Sequence, residues 1–324
     1  MAEIRYIKAV NQALADAMEA DPTVFLIGED IGAAGGSFKA TRDLLEKFGP
    51  ERVYDSPISE AAITGMAVGA ALTGMRPVVE IMFMDFTTLS MDMLVNQAAK
   101  ARSMFGGQGS VPMVLRTPHG GGLNAGPQHS QCLEAWFAHV PGLRVVCPSN
   151  PADAYGLLRA AIDDPDPVIV VENKALYAMK GDLPDDREPI EIGKGRIVRP
   201  GRDATVVSYG AAVAMAETAA ETMAEEGIEV EVIDLRSIQP WDEDLVLESL
   251  TRTHNLVVAH EAVEAFGVGA EIVARMADIG FDQLDGPILR VGAPFAPSPF
   301  GKTLEDAYRP DASRIVAALR RTLA

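Results

Sequence analysis

The feature that most constrains this chain is a repeated alternation of short runs, apolar along their whole length, with stretches of helical length and period. VFLIGED from Val24, RPVVEI from Arg76, VPMVLRT from Val111, RVVCPS from Arg144 and VIVVEN from Val168 recur in this way. A strand with one wet face alternates apolar and polar residues, whereas a strand apolar throughout is buried on both faces. That condition is met in a parallel sheet covered by helices. The expected class is therefore α/β, built on parallel sheets.

Between about Tyr177 and Asp203 the alternation gives way to a run dense in Gly, Pro and charge, the composition of a linker or surface excursion. It then resumes with ATVVSYG, VEVIDLR, LVVAHE and PILRVG. The 324 residues divide on this reading into a domain over 1–187, a linker over 188–202 and a smaller α/β domain over 203–324.

Charge and cysteine content exclude several function classes. With 28 basic and 46 acidic side chains the net charge is −18, a field that repels nucleic-acid phosphates and anionic lipid surfaces. Cys132 and Cys147 are too few for a disulfide framework or a four-thiolate zinc site and suit a reducing compartment, both as small buried residues. The N-terminal MAEIRYIKAVNQALADAMEADP reads as an amphipathic helix without the apolar core of a signal peptide, so a cytoplasmic location is expected. The Gly/Ala/Thr-rich run from Ala61 to Met75 reads as a buried helix too short to span a bilayer.

The common catalytic motifs fail. No G-x-G-x-x-G is complete: Gly107/Gly109, Gly193/Gly195 and Gly267/Gly269 each lack the third glycine. His119-Gly120-Gly121-Gly122 could line an oxyanion hole, but no serine has glycines at both second-neighbour positions, so the hydrolase reading falls. The glycines are expected instead to let backbone approach a bound group closely. What remains is Ser56-Pro57-Ile58-Ser59-Glu60, a turn into the Gly/Ala-rich helix with Ser59 as the expected N-cap. A carboxylate at Glu60 complements the helix dipole, and taken alone it need do no more.

Its company adds to this. Residues 56–62, Glu80-Ile81-Met82-Phe83-Met84-Asp85-Phe86 and Gln128-His129-Ser130-Gln131 resemble, in order and spacing, the β chains of the pyruvate, branched-chain 2-oxo acid and acetoin dehydrogenases. The resemblance covers essentially the whole chain, through Pro141-Gly142-Leu143, Pro148-Ser149, Asp163-Asp164-Pro165-Asp166-Pro167, Val170-Val171-Glu172-Asn173 and Asp234-Leu235-Arg236. It implies a transketolase-like pyrimidine-binding domain followed by a transketolase C-terminal-like assembly domain, and thiamine diphosphate as cofactor. Glu60 would contact the pyrimidine ring nitrogen and share a proton with it, which calls for a largely buried carboxyl group. Met82 and Phe86 would line the cofactor, Phe86 by stacking on the ring, although a Phe after a strand is ordinarily core. His129 would lie near the reacting carbon and hold the substrate carboxylate; with an ordinary pKa near ~6.5 it can give or take a proton at working pH.

Some family members hold a structural potassium ion, which the resemblance would place on carbonyls of Met113, Ala161, Ile162, Asp164 and Asp166. An Asp/Pro turn closing a helix is the plain alternative there. The Gly-Asp-Gly motif that holds magnesium and the cofactor diphosphate is absent, since Gly181-Asp182 is followed by Leu183. The resemblance therefore implies an α subunit that holds magnesium, an α2β2 heterotetramer and a lipoyl acyltransferase core as further partner. Pyruvate is the first expected substrate, acetoin the second and branched-chain 2-oxo acids the third. A transketolase-type sugar-phosphate enzyme half and a noncatalytic assembly subunit are the readings from other classes.

Overall fold

The computed structural model describes residues 2–324, which form two compact units. The first comprises residues 2–119 and 136–192, the second residues 120–135 and 193–324.

In the first unit the strands are β1 (Ala2–Arg5), β2 (Val24–Gly28), β3 (Val53–Asp55), β4 (Arg76–Glu80), β5 (Val114–His119), β6 (Arg144–Val146), β7 (Val168–Asn173) and β8 (Lys180–Leu183). The larger sheet runs β6-β7-β5-β4-β2-β3, and every pairing along that row is parallel. β2, β5 and β7 are buried along their whole length, apolar throughout in β2 and in the first residues of β5 and β7, whose later residues are buried polar groups such as Arg116 and Glu172. β1 and β8 form a separate antiparallel pair, so the first residues of the chain are a strand and the amphipathic helix begins only at Tyr6 (Tyr6–Ala20).

Strand order reverses between β2 and β4: the chain steps from β2 outward to β3, then crosses to the other side of β2. Ligands of open parallel sheets bind at such a switch point, outside the carboxyl ends of the strands. Glu29 follows β2, the helix Glu60–Leu72 follows β3, and residues 81–86 follow β4, so these three segments meet there.

The second unit has β9 (Arg196–Arg199), β10 (Ala204–Ser208), β11 (Val230–Asp234), β12 (Ser237–Gln239), β13 (Leu256–Val263) and β14 (Leu289–Ala293). Its sheet runs β14-β13-β10-β11-β9, parallel except for β9 at one edge. Part of the stretch whose composition suggested a linker is thus an edge strand, where Gly and charge are tolerated because only one side is paired. Ala216, Ala220 and Met223 from the helix Ala212–Glu225 and Ile315 and Leu319 from the helix Ala312–Thr322 cover one face.

The segment expected as a buried helix from Ala61 is buried on one side only. Ile63, Thr64, Ala67, Val68 and Ala71 face the core, while Met66 is 53% and Leu72 44% exposed. No helix among the described residues is long and apolar enough to cross a membrane. Cys147 is buried and Cys132 half-buried, and neither forms a disulfide.

Candidate active site

Glu60 is the first residue of its helix and is only 6% exposed. Among the described residues no donor reaches its carboxylate, whose oxygens keep a little contact with solvent at the positive end of the helix dipole. Ser59 occupies the N-cap position as expected, but its side chain makes no capping hydrogen bond.

Glu29 lies beside Glu60, and its Oε1 is buried without a hydrogen-bond partner. Burial raises its pKa first, the Glu60 charge second, and the Ser59 N–H opposes both. Two carboxyl groups thus face one spot with unfilled acceptor positions. The sequence reasoning missed Glu29, although an acidic pair directly after a wholly apolar strand was a usable signal.

Phe86 sits on the 3-10 helix Met84–Ser90, which is fastened to the head of the Glu60 helix: Ser90 Oγ donates to the Glu60 carbonyl (3.0 Å) and accepts from Thr64 Oγ1 (2.7 Å). The Phe86 ring meets Phe83 edge to face at 5.8 Å and is half-buried, as is Met82. A Phe in closed core would be covered completely; this one keeps a free surface on the segment that follows β4.

Beneath these segments lies a buried charge network. Arg116 on β5, 2% exposed, donates from Nε and Nη2 to the two Glu172 oxygens (2.8 Å each) and from Nη1 to Glu80 Oε2 (2.7 Å). Tyr177 adds a bond to Glu172 (2.9 Å). Burial pulls the guanidinium pKa down, but Glu172 and Glu80 outweigh it and hold the group above its ordinary value. Burial raises Glu80, with Arg116 opposing. The network ties β4, β5 and β7 together at the strand ends that carry residues 81–86.

His129 belongs to the segment Gly120–Ala135, which packs with the second unit. It is half-buried, and its N–H donates to the Gly126 carbonyl (3.3 Å). A Cβ at Gly121 would stand 2.9 Å from Arg309 Cδ and one at Gly122 2.9 Å from Arg309 Nη1, so these glycines admit an arginine of the same unit.

Among the carbonyls considered for potassium, that of Met113 accepts the Val168 N–H (3.0 Å) in the sheet, and those of Ile162 and Asp164 accept from Arg76 Nη1 (2.7 and 3.3 Å). The Asp164 and Asp166 side chains are paired with Arg144 (3.3 Å) and Arg102 (2.6 Å). The oxygens surround positive charge already supplied by the chain. Each carbonyl keeps a second lone pair, so a monovalent ion would share Ile162 and Asp164 with Arg76. Gly181 and Asp182 lie within β8, an ordinary strand.

The transketolase pyrimidine-binding domain family matches residues 2–180, and the transketolase C-terminal domain family matches residues 193–315. Over 323 residues the chain is 44% identical to the rice protein named pyruvate dehydrogenase E1 component subunit beta-2, mitochondrial, covering 98% of this chain and 86% of that one. The chain belongs to the family of 2-oxo acid dehydrogenase E1 β subunits. Two Bacillus subtilis relatives agree: the β subunit of an acetoin:2,6-dichlorophenolindophenol oxidoreductase, 46% identical (95% of this chain, 94% of that), and the 2-oxoisovalerate dehydrogenase β subunit, 40% identical (99% and 98%). Among solved structures, a split-gene transketolase described as an inactive β4 tetramer superposes with a TM-score of 0.82 over 99% of this chain and 98% of its own; at 23% identity it speaks to the fold alone.

Thiamine diphosphate is the cofactor this family implies, and the β-subunit residues fit it. A buried carboxylate with no protein donor at Glu60 suits a protonated ring nitrogen, and a half-covered Phe86 suits the flat face of a ring.

Proposed function

We propose that this β subunit forms the pyrimidine half of a thiamine diphosphate site and works in an oxidative, lipoyl-acylating cleavage: decarboxylation of pyruvate first, cleavage of acetoin second and decarboxylation of branched-chain 2-oxo acids third. The single observation that carries the reading is the buried, donor-free Glu60 carboxylate at the switch point of a parallel sheet. Bound thiamine diphosphate supplies a carbon nucleophile for the keto carbon and an electron sink when carbon dioxide leaves. Glu60 would hold the proton shared with the pyrimidine ring nitrogen, with the Glu29 carboxyl group beside it. Phe86 and Met82 orient the ring. His129 holds the substrate carboxylate and moves a proton at the reacting carbon's oxygen.

The acyl group passes to a lipoyl disulfide, whose S–S bond is reduced as the new S–C bond forms. The chain presents no Gly-Asp-Gly for magnesium and the diphosphate, so we assign these to an α subunit in an α2β2 assembly that docks on a lipoyl acyltransferase core. Exposed apolar side chains on and around the Glu60 helix, Met66 at 53% on it, Ile58 at 82% just before it and Leu89 at 60% on the neighbouring 3-10 helix, support a partner chain. Cysteines without a disulfide suit the cytoplasm. A potassium ion at the Ile162 and Asp164 carbonyls is tested by melting in potassium against sodium chloride, where only potassium should raise Tm.

The deciding experiment is 2-oxo acid-dependent dye reduction by the chain with and without its α partner, in thiamine diphosphate and magnesium. Turnover only in the mixture supports the split site and names the substrate. A folded, cofactor-binding mixture inert to every acid would return the noncatalytic and sugar-phosphate readings.

A further inference from the structure

The loop that carries His129 has no regular structure between residues 120 and 133, so its backbone polar groups must be satisfied by something other than a ladder. Two of its N–H groups are donated to buried carboxylates of the second unit. Gly121 N–H meets Glu261 Oε1 at 2.6 Å, and Asn124 N–H meets Glu305 Oε2 at 2.9 Å. Arg309 Nε bonds the same Glu261 oxygen at 3.2 Å, and its side chain runs against Gly121 and Gly122. Farther along, the Phe300 ring lies so close to Gly126 that a Cβ there would stand 2.3 Å from it, and the Gly126 carbonyl takes the His129 N–H. At the far end Tyr209 OH donates to Glu134 Oε1 (2.9 Å) and stacks on His260 at 5.9 Å.

We infer that the second unit positions His129: Glu261, Glu305 and Arg309 form a clasp on residues 121–124 that fixes where the histidine stands. The inference rests on the catalytic reading of His129 given above. Two buried carboxylates against one guanidinium are an expensive way to hold a loop, because each charge is desolvated and Glu305 Oε1 has no donor. Three glycines whose positions admit Arg309 or Phe300 belong to the same device. Such supports repay their cost where a group must be placed within a fraction of an ångström, since a 1 Å error can cost about a hundredfold in rate. Glu261, Glu305 and Arg309 are positioning residues, acting through the loop.

The test uses the full chain, alone for amide exchange and with its partner subunit for turnover. Glu305→Ala should speed exchange at residues 121–126 about tenfold or more while leaving β10 and β13 protected, and Glu305→Gln, which keeps one acceptor oxygen, should restore most of that protection. Glu305→Ala should lower kcat/KM about tenfold in the wild-type background but less than about twofold on top of His129→Ala, because the two act as one unit. Unchanged exchange in the alanine variant overturns the clasp. So does an equal loss of kcat/KM in both backgrounds, which would mean Glu305 acts elsewhere. Full turnover by His129→Ala would instead overturn the catalytic reading, a failure distinguishable because the exchange signal does not depend on chemistry. Should Glu305→Ala fold poorly, Gly126→Ala tests the same linkage through Phe300, with the same coupling to His129 expected.

Discussion

Two buried glutamates of the first unit have opposite surroundings. Glu172, fully buried on β7, has both oxygens filled by Arg116 and Tyr177. Glu60, at the head of its helix and 6% exposed, has no donor among the described residues. A saturated carboxylate is part of the scaffold, because every lone pair lost to water is replaced within the chain. An unsaturated one is open to a donor from outside the chain. The contrast separates a residue that holds the scaffold from one that is left available to a bound group.

The largest effect should come from Glu60→Gln. We expect about 10²–10⁴-fold lower kcat in the assembled enzyme with Tm unchanged or raised, since no protein bond is lost and a buried charge is removed. A drop in Tm with turnover retained would reverse the assignment. Glu172→Gln should do the opposite, costing about 3–5 kcal/mol in urea unfolding, because it leaves the Arg116 guanidinium buried and under-compensated. Stability within error of wild type would show that the network is not structural.

Glu29→Gln should act more mildly. Burial and the Glu60 charge raise the Glu29 pKa, so the folded chain takes up a proton at higher pH than the unfolded chain does. Wild type therefore gains stability as pH falls through the raised folded value, and the neutral variant should lose that gain and melt higher at pH 7. Equal pH dependence in the two proteins would remove Glu29 from the pair. The smallest effect concerns His260, whose pKa is lowered by burial, with Glu134 opposing. Its folded state resists protonation, so its contribution is complete above the unfolded value near ~6.5 and is lost as pH falls below it. His260→Gln should flatten the acid side of the stability profile of the second unit.

Much of this was legible before any coordinates. Val/Ile/Leu-rich runs made β2, β5, β7 and β11 legible as strands buried on both faces, although β5, β7 and β11 also bury polar residues that the pattern did not single out. The turn into Glu60 was legible through its neighbours in the motif order. Ser59 stands at the N-cap as its sequence position suggests, without the side-chain bond such a residue usually makes. The packing of Arg309 against Gly121 and Gly122 was hidden, because the arginine is nearly 190 residues away. Edge strand β9 hid in a linker-like composition, since a strand paired on one side tolerates charge.

The sequence alone determined the strand and helix order, the parallel sheets and the family, because these follow from periodicity and from residue types at fixed spacing. Only the tertiary structure decided which buried carboxylates are satisfied and which are not. Arg116 and Glu172 are 56 positions apart, Asn124 and Glu305 181. Hydrogen-bond saturation is a property of atoms within about 3 Å of one another. At such separations along the chain, periodicity carries no information about it.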